Sequence, residues 1–164
     1  MKRQKHNYID KDTFHEALVL YKNGEGGKRV EDYVGKCILD ICHNLARKPC
    51  WAGYTYVDEM IEDGIENCSK AIRSYDVNNE KKNPFWYFSF IAERAFIRRL
   101  DAEKDQNAIK HLNARNHHIT GRIEDWEAND LSDRVISEFE DRKQRQKEKA
   151  RKQRKKKSEG SSNN

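Results

Sequence analysis

Long apolar runs are missing from this 164-residue chain. No stretch approaches the roughly 20 apolar residues that a transmembrane helix needs, so no membrane-spanning segment and no membrane partner are expected. Proline occurs at only two positions, Pro49 and Pro84, and β-branched alternation is nearly absent, which argues against a sheet-rich fold. Hydrophobic residues make up 35% of the chain, so any core must be small and built from few elements. The basic start, Met1 to Asn7, is followed by no apolar stretch, and no secretory signal is expected. The four cysteines, Cys37, Cys42, Cys50 and Cys68, show neither CxxC spacing nor a disulfide-dense pattern, which is simplest to read as a reduced cytoplasmic compartment.

Charge, by contrast, is abundant and unevenly placed. Residues Arg142 to Lys157 hold eleven Lys/Arg and one acid, Glu148, a local net of +10. The whole chain carries +5, so the remainder sums to −5. A mildly acidic body therefore bears a basic arm, and such arms bind polyanions by counterion release. Arg142, Lys143, Arg145, Arg151 and Lys152 are its candidate DNA contacts; Ser158 to Asn164 read as disorder by composition.

Between the few breakers the apolar spacing is helical, and the expected fold class is all-α. A first helix is expected near Thr13, whose spacing to Glu16 matches a capping box, with Phe14, Leu18 and Tyr21 as its stripe. A second runs from about Val30 to Arg47 with Val34, Ile38, Ile41 and Leu45 on one face. A third follows a Thr55 cap and carries Ile61, Ile65, Cys68, Ile72 and Tyr75, flanked by Asp58, Glu59, Glu62, Asp63 and Glu66. The fourth starts at an Asn83 cap with Pro84 at its first position, then reads Phe85-Trp-Tyr-Phe-Ser-Phe90, apolar on most sides. The pattern weakens beyond Asp105, and a last amphipathic stretch runs from Ile123 through Trp126, Leu131, Val135, Ile136 and Phe139. The expected organisation is a helical domain over 1–105, a helical extension over 106–141 and a basic, partly disordered tail over 142–164.

No nucleophile–base constellation is legible, and an enzyme is not expected. The closest metal-ligand grouping, Cys37/Cys42/His43/Cys50, matches no common structural zinc spacing; Cys37 and Cys42 fit small core positions better. The turn Gly24-Glu-Gly-Gly27 has neither the Lys-Ser/Thr of a P-loop nor a preceding strand. No metal or cofactor is expected.

The run Glu59 to Asp76, Glu-Met-Ile-Glu-Asp-Gly-Ile-Glu-Asn-Cys-Ser-Lys-Ala-Ile-Arg-Ser-Tyr-Asp, resembles region two of the bacterial sigma factors without a gap. Ile61, Gly64, Lys70, Ala71 and Asp76 coincide in identity, with Tyr75 where that family has Phe. Downstream, Tyr87, Ala95 and Arg98 align with its promoter-melting segment. Lys5-His-Asn-Tyr-Ile-Asp10, Gly53-Tyr-Thr55, the Asn83-Pro84 start and Arg98-Arg-Leu-Asp-Ala-Glu-Lys104 look closer still to the late-gene sigma factors of large contractile-tailed phages. The resemblance covers roughly residues 5–105.

The resemblance implies a protein that binds the clamp helices of the largest subunit of bacterial RNA polymerase, through Glu59, Glu62, Asp63, Ile65 and Ser69. It implies that Trp86, Tyr87 and Phe90, with Arg94, Arg98, Arg99 and Lys104, contact and melt −10-like late promoter DNA, Tyr87 and Phe90 being the first candidates for a flipped base. Core packing of any one ring is the competing assignment. The family's Trp-Trp pair is Phe90-Ile91 here, and its polar base-reading positions fall at Arg94 and Ile97, so an altered base preference is implied. No candidate for a helix-turn-helix follows the matched block, and the relatives' sliding clamp and co-activator are implied as possible partners, although their acidic-hydrophobic clamp motif is replaced here by a basic tail. The implied setting is the cytoplasm of an infected bacterial host. Two rival readings remain: a non-specific helical nucleic-acid-binding protein, and a polymerase-binding regulator without initiation activity.

Overall fold

The computed structural model describes residues 9–78, 83–116 and 126–160, with side chains described through 114 and over 130–154 in the last two segments. These residues form five α-helices and a single-turn 3-10 segment, and no strand occurs among them. The helices are α1 (Lys11–Asn23), α2 (Gly27–Ala46), α3 (Val57–Ala71), α4 (Pro84–Asn116) and α5 (Trp126–Gly160), with the 3-10 turn at Ile72–Ser74. None is long and apolar enough to cross a membrane among the described residues. The chain divides into two compact units, one through Leu100 and one from Asp101, so the divide falls inside α4.

The all-α expectation holds; the caps differ in detail. Asp10, not Thr13, caps α1: its Oδ1 accepts from the backbone of Asp12 (3.1 Å) and Thr13 (2.9 Å) and from the Thr13 hydroxyl (3.0 Å). These bonds to the ionised form hold the Asp10 carboxyl below the usual range. α1 ends at Gly24 in the left-handed region (φ 73°), where its N–H reaches back to Leu20 and Tyr21. α2 begins earlier than Val30, at Gly27, behind a second left-handed glycine, Gly26. α3 has no side-chain cap: Tyr56 rather than Thr55 precedes it. The Asn83-Pro84 signal behaves as the residues dictate, with Asn83 Oδ1 accepting from the Trp86 N–H at 3.4 Å.

The first unit closes around one core. Phe14 and Leu18 of α1 meet Val34, Ile38, Ile41 and Cys42 of α2, Met60 and Cys68 of α3, and Phe88, Ala92 and Phe96 of α4. On α3 the buried line is Met60, Gly64 and Cys68, continuing to Ile72 and Tyr75; Ile61 and Ile65 flank it, half-buried. A Cβ at Gly64 would come within 3.0 Å of Phe96 Cε1 and 3.2 Å of Cys42 Sγ, so this glycine sets how closely α3 packs. Cys37, Cys42 and Cys68 are buried free thiols and fill small core positions, and Cys68 donates to the Phe88 carbonyl at 3.4 Å. Its hydrogen bond with Cys42 and then burial push the Cys68 thiol far above the ordinary range, so it keeps its proton. Lys22 ties α1 to the end of the 3-10 turn, donating to Tyr75 O at 2.6 Å and Arg73 O at 3.2 Å.

The second unit is a pair of helical segments. α4 continues past Asp105, where the apolar pattern fades, to Asn116. Asp105 pairs with Arg142 (3.4 Å) and Lys143 (2.6 Å), and His111 Nδ1 lies 3.0 Å from Ser132 Oγ, so α5 runs antiparallel to this part of α4. Ala108 and Ile136 are buried, whereas Leu131 is exposed. Ile123, and the side chain of Trp126, lie outside the described residues. α5 carries the basic arm as helix through Gly160, including Ser158 to Gly160, for which composition suggests disorder; Ser161 to Asn164 lie outside the described residues.

Candidate nucleic-acid and protein interface

Two exposed surfaces of the first unit gather seven of the seventeen sequence-derived candidates. The first is on α3. Glu59, Glu62, Glu66 and Ser69 recur at intervals of three or four residues and are all exposed, an anionic face along one side of the helix. The Ser69 hydroxyl donates back to Ile65 O at 2.8 Å, and Glu66 binds Lys70 one turn on. Asp63 is turned away from this face: Arg99 of α4 grips it with two bonds, Nε to Oδ2 at 2.7 Å and Nη2 to Oδ1 at 3.0 Å. Ile65 is half-buried against the core. Glu59, Glu62 and Ser69 are therefore exposed on one side, while Asp63 and Ile65 hold α3 against its neighbours.

The second surface is the outer side of early α4. Helical spacing of four places Trp86, Phe90 and Arg94 in a column. Trp86 is 65% exposed and Phe90 41%, yet their rings stack nearly parallel at 5.5 Å. The Arg94 guanidinium sits over the Phe90 ring at 4.9 Å, which extends the stack by a cation–π contact. Exposed rings of this size are expensive in water unless a partner covers them. Beside the column, α3 and α4 leave a groove of about 310 Å³, lined by Asn67, Lys70 and Ser74 on one side and Phe90, Arg94 and Arg98 on the other. Its cations are Lys70, Arg94 and Arg98; no acid lines it. Arg98 donates to Asn67 Oδ1 at 2.8 Å, which fixes the guanidinium at the groove wall. An open groove with an aromatic wall and three cations can take a planar ring and the phosphates attached to it.

Tyr87 faces the other way. It is half-buried, packs on Tyr75 at 5.2 Å and sends its hydroxyl to Ala71 O at 3.5 Å. Burial pushes its phenol above the ordinary range, with the nearby Cys68 adding to the shift. Trp86, Phe90, Arg94 and Arg98 thus come together, Tyr87 joins the core side, and Arg99 joins Asp63. Lys104 is exposed on the later part of α4. Of the arm candidates, Arg142 and Lys143 are half-buried and held by Asp105, and Lys143 also lies over the Phe139 ring at 5.3 Å. Arg145, Arg151 and Lys152 are exposed. Asn67, Lys70 and Ser74 were not singled out as site residues from sequence, although Lys70 and Ser74 stand four apart and so share a face.

Among the described residues no group of three or more His, Cys, Asp or Glu side chains could hold a metal ion. No protein-family model and no curated protein matches the chain.

Proposed function

We propose that this chain is a sigma-type transcription initiation factor of the phage late class. It joins a bacterial RNA polymerase core through the anionic face of α3 and opens −10-like late promoters with the ring-and-cation surface of α4. The observation that carries the reading is the Trp86–Phe90–Arg94 column at the rim of a cationic groove, next to a helix whose sequence resembles sigma region two. Opening a duplex strands bases without neighbours, and an exposed aromatic replaces the lost stacking by about 1–3 kcal/mol per base. Lys70, Arg94 and Arg98 neutralise the phosphates of the displaced strand. The negative α3 face steers encounter with a basic partner and fixes its register. Bond-making chemistry belongs to the polymerase, and the work is done in the cytoplasm of an infected bacterium. A phage sliding clamp and co-activator are candidate helpers.

Run-off transcription with bacterial core enzyme, an AT-rich −10-like template and any required helpers tests the reading: specific transcripts are expected, and their absence, with DNA binding retained, would favour a non-specific nucleic-acid-binding protein instead. Core binding without transcripts would favour a polymerase-binding regulator. Glu62→Lys is expected to abolish core binding while leaving thermal unfolding unchanged, since Glu62 is exposed. Asp63→Asn breaks the paired contact with Arg99 and is expected to cost about 0.5–1 kcal/mol of stability, the range for a part-exposed ion pair.

A further inference from the structure

α5 beyond its Asp105 anchor is cationic in a pattern that a merely solvated helix does not need. Every residue from Gln144 to Arg154 is exposed. At about 100° per residue, Arg145, Lys149 and Lys152 fall within a 60° sector of the helix, on the order of one face. Lys147, Arg151 and Arg154 fall in a sector about 180° away. Over residues 144–154, though not in the turn that follows, the strips between carry no cation: Gln146, Ala150 and Gln153 on one side, Gln144 and Glu148 on the other. Gln144 and Glu148 are tied to each other at 3.3 Å, which leaves the first strip as the polar, uncharged one. Within each face the cations stand three and four apart, where like charges oppose the helix until a counter-charge arrives.

Two opposite cationic faces with a neutral amide-rich strip between them match one kind of anion. We propose that residues 144–154 of α5 lie in the major groove of B-form duplex DNA. The groove is about 12 Å wide and admits an α-helix, and its two walls are lines of phosphate. Arg145, Lys149 and Lys152 then meet one wall, Lys147, Arg151 and Arg154 the other, and the Gln146–Gln153 strip faces the base edges. A single strand offers only one line of phosphates. The A-form major groove of duplex RNA is too narrow and deep for the helix. An anionic membrane surface is a poorer match, because Ala150 is the only apolar residue between 144 and 154.

The inference goes beyond the initiation reading and involves no polymerase, so each can fail without the other. The test measures binding of the full chain alone, by anisotropy over a range of salt, to a mixed-sequence DNA duplex two helical turns long. The same sequence as duplex RNA, as single-stranded DNA, and phosphatidylglycerol vesicles are the comparison probes. Duplex DNA is expected to bind most tightly. Arg145→Gln/Lys149→Gln/Lys152→Gln and Lys147→Gln/Arg151→Gln/Arg154→Gln are each expected to flatten the slope of log K against log salt by about 2.7, at about 0.9 per phosphate contact. Glutamine keeps helix propensity, and circular dichroism verifies that each variant retains α5. A slope that responds to only one triple variant places the helix on the outside of the duplex and overturns the proposal. Equal affinity for duplex RNA, or tighter binding to the vesicles, also overturns it.

Discussion

Aromatic residues in early α4 have similar chemistry and opposite duties. Phe88 and Phe96 are fully buried, each touching another aromatic ring at 5.5 Å, whereas Trp86 and Phe90 are open to water. Phe96→Ala is therefore expected to cost about 3–5 kcal/mol, the range for a buried ring, read as a shift in the denaturant midpoint. Trp86→Ala and Phe90→Ala should change stability by no more than about 0.5 kcal/mol but weaken single-stranded DNA binding by about 1–3 kcal/mol per ring, measured by titration. Loss of stability without loss of binding would assign the two rings to packing. A different single residue controls the start of α1. Asp10 is ionised and bonded in the folded chain, so the unfolded chain binds its proton more readily, and stability rises with pH through the carboxylate range. The contribution is complete above the ordinary aspartate pKa and is lost as pH falls through the lowered folded value. Protection of the Thr13 amide from exchange, taken relative to the intrinsic rate at each pH, should fall over that acid window, and the Asp10→Asn variant should show a weaker dependence.

Helix α3 shows how one element serves two surfaces. Its inner line, Met60, Gly64 and Cys68, is shaped to the core, and its outer line, Glu59, Glu62, Glu66 and Ser69, is left to solvent. Arg99 and Arg98 of α4 clasp it through Asp63 and Asn67, so the helix pair that frames the groove is held at two points about one turn apart on α3. Gly64 lies within that helix pair. Alanine favours a helix by up to about 1 kcal/mol, but the added methyl would press on Phe96 and Cys42, both wholly buried, and these side chains would have to shift to admit it. Overpacking outweighs propensity, and Gly64→Ala is expected to be net destabilising by roughly 1 kcal/mol, with a lowered thermal midpoint. An unchanged or raised midpoint would show that α3 has room to move.

Taken as a molecule, the chain keeps its apolar core and its basic arm in separate units. Among the described residues every buried member of the large core lies before Leu100, and none comes from α5. A chain ended after Asp141 should therefore retain the near-ultraviolet signature and cooperative melting of the first unit, while losing the steep salt dependence of DNA binding. Loss of the first unit's transition would mean that its core draws on α5. The division also explains the low apolar content: one compact unit of helices needs a full core, and a long solvated helix does not.

Fold class, the Asn83-Pro84 start, the α2 stripe and Phe14 and Leu18 of α1 were legible from local chemistry, because caps and 3.6-residue periodicity act over a few residues, but Tyr21, expected on the α1 stripe, is exposed and Ala17 is buried instead. The basic arm was legible for the same reason, as composition. Local chemistry could not say that Asp10 would outcompete Thr13 as a cap, since both are good acceptors and stand only three residues apart. Nor could it sort Trp86, Tyr87, Phe88 and Phe90, because a helix greasy on all sides has no unique inner face until neighbours press on it. The neighbours chose Phe88 and left Trp86 and Phe90 outside; they drew Tyr87 inward onto Tyr75 and spent Asp63 on Arg99. Helical identity is written in short-range spacing, but which side chains remain available to a partner depends on contacts between residues far apart in the chain.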